Sequence, residues 1–289
     1  MEGFIDWVKP TVMDRFSCTM HKLGNCLIEI EGDRAYAETY AIVHHILAGE
    51  ERSSDMIMGV RYIDRLEQRR GEWKIANRRM SFEWERNVEI GSQGELVPYP
   101  QGGRDGSDPV LRPVAVSVPV TLARVEDRAD IYAAHMRFCR GFDRRDEGLI
   151  RSAYHADARA DHGAYEGGLD GFIEFVTKEV HARFRTTMHK LGQVLVEFDA
   201  EGDPDVAWSE AYAICHHVTE EGGRDVADRV VGLRYHDRFE RRDGEWRIAH
   251  RELRYEWLRI DALEPLDASW TLGRAGAGDP VFADLTPEA

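Results

Sequence analysis

The sequence predicts an α+β protein made of two copies of one module, the second complete and the first lacking its helical front. Three observations predict this. The first is an internal repeat. Residues 3–30 align with 171–198 without a gap, GFIDWV against GFIEFV and CTMHKLGNCLIE against TTMHKLGQVLVE. Residues 59–84 align with 232–257, GVRYIDRLEQRRGEWKIANR against GLRYHDRFERRDGEWRIAHR. Between them, AYAETYAIVHH (35–45) matches VAWSEAYAICHH (206–217), allowing one gap. In the two long blocks more than half the positions are identical. The second observation is that the second copy reads as helices followed by a run of long strands. The third is that residues 126–168 have no counterpart in the first copy, since Met1 falls where position 169 would be. Either the first copy has lost its front or the natural start lies upstream of Met1.

Each element follows from its pattern. Residues 127–145 carry Ile131, Ala134, Phe138 and Phe142 at helical spacing. Gly141, late in that pattern, would cost about 1 kcal/mol in a helix interior. A second helix at roughly 146–154 turns Leu149, Ile150 and Ala153 inward. A short strand at Arg159–Asp161 leads into a Gly-rich turn. A third helix, 169–184, lines up Phe172, Phe175, Val176 and Val180. Strands follow at His189–Phe198, Ala207–Val218, Arg229–Arg241 and Glu245–Trp257. The last two are joined through Asp243–Gly244, which supplies the positive backbone angles of a tight hairpin. The order is α-α-β-α-β-β-β-β. A strongly bent antiparallel sheet wrapped round helices leaves a pocket on its concave face. The expected division is a truncated domain at 1–90, a linker at 91–125, a complete domain at 126–262 and a surface tail at 263–289. The linker holds turn signals at Pro98–Pro100, Gly102–Gly103 and Gly106–Pro109, and Val114–Val120 could add an edge strand.

Composition narrows the function classes. The chain has 289 residues, enough for two domains, and 43% are hydrophobic. No apolar run approaches the roughly 20 residues of a membrane span, and MEGFIDWVKP lacks the form of a signal peptide, so the default compartment is the cytoplasm. The net charge of −15 argues against nucleic acid and anionic membranes as partners. Cys18, Cys26, Cys139 and Cys215 form no C-x-x-C pair and read as reduced thiols. No metal-ligand spacing, phosphate-binding Gly loop or G-x-S-x-G motif occurs.

The order of elements, the phrase RFCRGFDRRDEGLIRSAYHADARADHG (137–163), the TMHKLG strand and the RYHDRFERRDGEWRIAHR hairpin together resemble the SnoaL-like domains of the nuclear transport factor 2-like superfamily. The resemblance covers 126–260 fully and 1–85 in part. It implies tandem cystatin-like cone domains, with a layout similar to scytalone dehydratase and hexachlorocyclohexane dehydrochlorinase. It also implies chemistry without a cofactor or metal, on a hydrophobic small-molecule ligand. In such members an Asp on the first helix and a His on a cavity strand form a dyad. The matching positions are Asp143 and His189, and Arg251 fits the place of an assisting Arg. Where some relatives carry a Tyr or Lys, this chain has Phe138. A proton donor must then come from elsewhere, such as Tyr154, Tyr212 or Tyr235. His217 and Trp257 complete the expected pocket. Relatives often pair their sheets across a dimer, so the two copies are expected to form a pseudo-dimer within the chain, with a homo-oligomer also possible.

From the residues alone, two readings stand for each candidate. Asp143 and His189, if joined by the fold, make a general base suited to elimination or isomerisation of a cyclic compound of steroid, polyketide or terpenoid type. Otherwise Asp143 caps the second helix and His189 is a satisfied core histidine. Arg251 either steadies a developing oxyanion or pairs with an acid such as Asp237 or Glu256. His216 and His217 point to opposite faces of a strand, so one of them faces the pocket. The first copy keeps His21 and Arg78 but has no Asp143 equivalent, and is expected to be catalytically silent. A pocket that binds without reacting, or an assembly role, is the alternative to an enzyme.

Overall fold

The computed structural model describes residues 6–49, 53–90, 102–103, 121–198, 202–222 and 224–263. The chain divides into two units, at Glu95 and Leu96. The first opens on a π-helical turn, Lys9–Met13, followed by β1 (Cys18–Glu31), β2 (Arg34–Leu47), β3 (Ser53–Arg69) and β4 (Glu72–Ile90). These form one antiparallel meander in the order β1-β2-β3-β4.

The second unit begins with α1 (Leu122–Arg144) and α2 (Glu147–Ala153), then β5 (Tyr154–Asp161), β6 (Glu166–Gly168) and α3 (Leu169–Phe175). From α3 the chain stays helical through a π turn, Val176–Val180, and a last turn at His181–Arg183. Then come β7 (Thr186–Phe198), β8 (Val206–Glu221), β9 (Arg224–Arg242) and β10 (Glu245–Ala262). The sheet order is β6-β5-β10-β9-β8-β7, with β5 parallel to β10 and the other pairs antiparallel. Both units are α+β or its strand-rich remnant, as the repeat predicts.

The repeat extends to the irregularities. The β1–β2 ladder shifts register between Leu23 and Cys26, and the β7–β8 ladder at the equivalent Leu191 and Val194. The β3–β4 ladder skips Ala76 and Glu83, and the β9–β10 ladder skips the equivalent Ala249 and Glu256. Each skipped residue bends its strand and re-aims the side chains beyond it. Both hairpins turn on two residues with positive φ, Arg70–Gly71 and Asp243–Gly244.

Three expectations need correction. The helix begins at Leu122 rather than 127, because Thr121 caps it by accepting the Arg124 amide at 3.3 Å. The strand expected at Arg159–Asp161 starts at Tyr154. The Gly-rich segment after it is not only a turn: Glu166–Gly168 pairs with Arg159–Asp161 as an edge strand. Val114–Val120 and the tail beyond Leu263 lie outside the described residues.

Gly141 has a packing reason. A Cβ there would sit 2.7 Å from the Ile150 backbone nitrogen, so the glycine lets α2 close onto α1. Gly141→Ala is expected to destabilise the protein by about 1–3 kcal/mol, despite alanine's better helix propensity, measured by chemical denaturation. The core that this contact helps to seal joins Ile131, Phe138 and Phe142 of α1 to Phe172 of α3 and to Phe198 and Ile248 of the sheet. Each such side chain contributes roughly 1.5–3 kcal/mol on burial.

Candidate functional site

Asp143 lies in the last turn of α1. That helix ends where Arg145 takes a left-handed φ of 57° and the Asp146 amide donates to the Gly141 carbonyl at 2.8 Å. Asp146, not Asp143, caps α2: its Oδ1 accepts the Leu149 amide at 2.9 Å. Asp143 is thereby left to face β7. Its carboxylate accepts from the Thr187 hydroxyl at 3.0 Å, the His189 backbone amide at 2.8 Å and the His189 ring Nδ1 at 2.6 Å. Thr187 and His189 are two apart on a strand, so hydroxyl and imidazole rise from one face. Three donors fix the carboxylate, and the carboxylate fixes the ring.

The His189 ring forms part of the wall of a pocket of about 300 Å³ between the concave sheet and the helices. Phe138, Phe142, Phe172, His217, Tyr235 and Leu253 supply much of the rest of that wall. Phe142 packs on the His189 ring at 4.5 Å between centroids, and His217 meets it edge-on at 5.8 Å. Glu179, Arg183 and Arg229 also border the space and give it a charged margin.

The SnoaL-like domain family model matches residues 1–79 and 123–252, both copies in one chain. The chain belongs to the SnoaL-like domain family. Its fold is also similar to that of solved structures. A hexachlorocyclohexane dehydrochlorinase (LinA) Type2 is 21% identical, with a TM-score of 0.45, covering 51% of this chain and 97% of that one. The LinA-type3 enzyme of Novosphingobium barchaimii LL02 is 23% identical, with a TM-score of 0.45, covering 50% and 97%. A putative scytalone dehydratase of Novosphingobium aromaticivorans DSM 12444 is 16% identical, with a TM-score of 0.43, covering 52% and 100%. No curated protein sequence matches the chain.

Within the second SnoaL-like unit, charge is sharply divided among the imidazoles. Burial works against a charge on His189, but the Cys215 sulfur across the strand pair and the Asp143 carboxylate outweigh it and raise the ring to about 10. His217 goes the other way, lowered to about 3 by burial and by the neighbouring His189. His162, which also lines the pocket, is lowered well below its ordinary value by burial, then by Arg251 and His189. One imidazolium therefore sits between two neutral rings. Because the folded pKa of His189 is raised, its contribution to stability is full below pH 6.5 and is lost as pH rises through about 10. Chemical denaturation from pH 6 to 10 checks this: the wild type should lose more stability across the window than His189→Gln.

The other expected site residues divide into two groups. Phe138, His217 and Tyr235 line the pocket. Tyr235 directs its hydroxyl toward the Cys215 sulfur at 3.8 Å, and burial pushes its phenol well up, so it stays a neutral donor. Arg251 lies behind the wall, fully buried. It bonds Asp237 twice, at 2.7 and 2.6 Å, and its Nη2 reaches His135 at 3.2 Å. The rings of Phe138 and Tyr235 each lie 4.2 Å from its guanidinium carbon, between it and the pocket. Of the alternatives for Arg251, the ion pair with Asp237 is the one formed; Glu256 instead pairs with Arg234 at 2.6 Å.

Tyr154, Tyr212 and Trp257 do not line the pocket. Tyr154 is buried beneath Arg251, 5.6 Å from its guanidinium carbon. Tyr212 falls between the core-facing Ala211 and Ala213, so it emerges on the opposite face of β8. Trp257 is displaced by the skipped Glu256: beyond that bulge Leu258 takes the concave position, and Trp257 lies over Gly232 on the other face. A Cβ at Gly232 would overlap the Trp257 ring.

Thr187 and His162 were not among the sequence candidates. Thr187 had a signal, the T-M-H triplet present in both copies. His162 stacks on Phe172 at 4.2 Å, and among the described residues its Nε2 has no hydrogen-bond partner. Nothing in its D-H-G context marks it. Among the described residues no group of three or more His, Cys, Asp or Glu is arranged to hold a metal, and no helix is long and apolar enough to cross a membrane.

Proposed function

We propose that the second unit is a cofactor-independent lyase of the dehydratase kind, or an isomerase, acting on a hydrophobic cyclic small molecule. The observation that carries this reading is the triple anchoring of Asp143 against His189 at the edge of an aromatic pocket. Asp143 holds Nδ1, which leaves Nε2 to take a proton from carbon beside a carbonyl or a leaving group. Tyr235, a neutral phenol in the same wall, is the donor nearest in kind to what the leaving group needs. That residue favours chemistry over binding alone. Arg251 acts at one remove, packing against both Phe138 and Tyr235 of the pocket wall. A pocket of about 300 Å³ is at the small end for such sites, which favours one or two rings over a steroid nucleus.

The raised His189 pKa sets the pH behaviour. In the empty site the ring is mostly protonated at neutral pH, so kcat/KM should climb with pH toward about 10. A hydrophobic ligand strips the ring of remaining water and lowers its pKa, so the kcat profile should level off at lower pH than kcat/KM. A rate that falls as pH rises above 7 would make the imidazolium an acid instead of the base.

A substrate is not needed in advance to test the reading. Cyclic ketones, enones and hydroxylated or halogenated ring compounds can be incubated with the protein in D₂O and followed by NMR. Deuterium entering beside the carbonyl, or loss of the leaving group, is expected with the wild type and absent with His189→Gln. Equal exchange by both proteins would remove His189 from the reaction.

A further inference from the structure

We propose that His162 recognises an oxygen on the substrate, so that the pocket selects rings bearing a hydroxyl or carbonyl over the hydrocarbon or halocarbon of the same shape. This narrows the substrate class of the reading above, and it rests on that reading for the pocket being the substrate's site. His162 lines the pocket and is 8% exposed. Its main chain is engaged on both sides. The amide donates to the Tyr165 carbonyl at 2.8 Å, and the carbonyl accepts from the Ala164 amide at 2.9 Å and the Tyr255 hydroxyl at 3.3 Å. Its ring is another matter: Nε2 is buried, and among the described residues the imidazole has no hydrogen-bond partner.

Local structure holds that ring in place. Gly163 takes a φ of 73°, and its amide donates to the Asp161 carboxylate at 2.8 Å, so the turn that follows His162 is tied at both ends. The imidazole stacks on Phe172 at 4.2 Å between centroids, and the Phe138 ring lies 6.4 Å away. Phe138 also lies 6.2 Å from the His189 ring, so the two imidazoles border one aromatic floor. Tyr154 and Arg251 each bury an unpartnered polar atom too, but neither lines the pocket. Of these three residues, His162 is the one a ligand meets.

The chemistry of the ring specifies its ligand. A buried polar group without a partner weakens a fold, and folded proteins keep few of them. One that borders a pocket finds its partner when a ligand enters, and a few such groups set a pocket's specificity. Burial, then the charges of Arg251 and His189, keep His162 neutral. A neutral imidazole carries one N–H donor and one acceptor nitrogen. A hydroxyl can meet either nitrogen, and a carbonyl can meet the N–H. A methyl group or a chlorine in the same place satisfies neither, and it shuts the ring off from water as well. A site of this kind discriminates against the analogue that lacks the oxygen, because its own polar group is then left unpaired.

The test titrates the full chain, ¹⁵N-labelled on histidine, with phenol, toluene and chlorobenzene. These probes share a shape, and their substituents cannot be eliminated, so binding is read apart from turnover. Phenol is expected to shift the ring nitrogens of His162, and the other two to leave them in place. His162→Phe keeps a ring to stack on Phe172 and loses both nitrogens. It should lower the ratio of phenol to toluene affinity at least about tenfold. His189→Gln should keep the wild-type ratio, so this preference stands or falls separately from the proton transfer assigned to His189. Three results would overturn the proposal: His162 nitrogens unmoved by saturating phenol; an unchanged affinity ratio in His162→Phe; or a ratio lost in His189→Gln, which would put the oxygen on the other imidazole.

Discussion

Asp237→Ala is expected to destabilise the protein by about 3–5 kcal/mol, the largest effect of any single substitution considered for this chain. The cause is the charge it strands. Arg251 is completely buried; its Nε and Nη2 donate to Asp237, and Nη2 also reaches the neutral His135 ring. Burial disfavours the guanidinium, but the Asp237 carboxylate more than compensates and keeps it charged. Without that carboxylate the cation faces Phe138, Tyr154 and Tyr235, which offer weak cation–π attraction but no counter-charge. Removing both partners should hurt far less than removing one. Asp237→Leu combined with Arg251→Met is expected to recover most of the loss, because two apolar side chains suit the surrounding core. Chemical denaturation of the two variants checks this. A loss below about 1 kcal/mol for Asp237→Ala would mean that water reaches the guanidinium.

The second large effect is on turnover. Asp143→Asn is expected to lower kcat by about 10²–10⁴-fold on any substrate the wild type converts, with the fold retained. The carboxylate accepts three hydrogen bonds. An amide of the same shape has one accepting oxygen, and its NH₂ would point donors at donors. The His189 ring then loses the negative charge that raises its pKa. Burial, already opposing its charge, is then offset less, and its pKa should fall. The variant should therefore lose the climb of kcat/KM toward pH 10 as well as rate. A merely structural Asp143 would leave the shape of that profile unchanged.

The repeat carried most of the architecture. Apolar spacing located α1, α2 and α3 because each buries one face on the sheet, and the long strands were legible because both copies repeat them. The starts of elements were less legible. Leu122 is 76% exposed, so the first turns of α1 lack the apolar rhythm that marks its middle. At the site, Asp143 and His189 were legible only as a pair brought together by the fold; their separation in sequence carries no information about distance. Trp257 went astray for a definite reason. Strict alternation along β10 puts it beside Tyr255, and alternation cannot see the residue skipped at Glu256. Tyr212 could have been placed from its flanking alanines, which occupy the buried phase of β8. For Arg251, sequence could not show that Phe138 and Tyr235 would close over it.

The most direct measurement is a ¹⁵N NMR titration of the His189 ring in the wild type and in Asp143→Asn, from pH 5 to 10.5. The wild-type ring should remain an imidazolium until pH approaches 10, and the same ring in the variant should lose its proton at clearly lower pH. Two rings that titrate together would contradict the account, since Asp143 would then exert no hold on the proton that the proposed reaction moves.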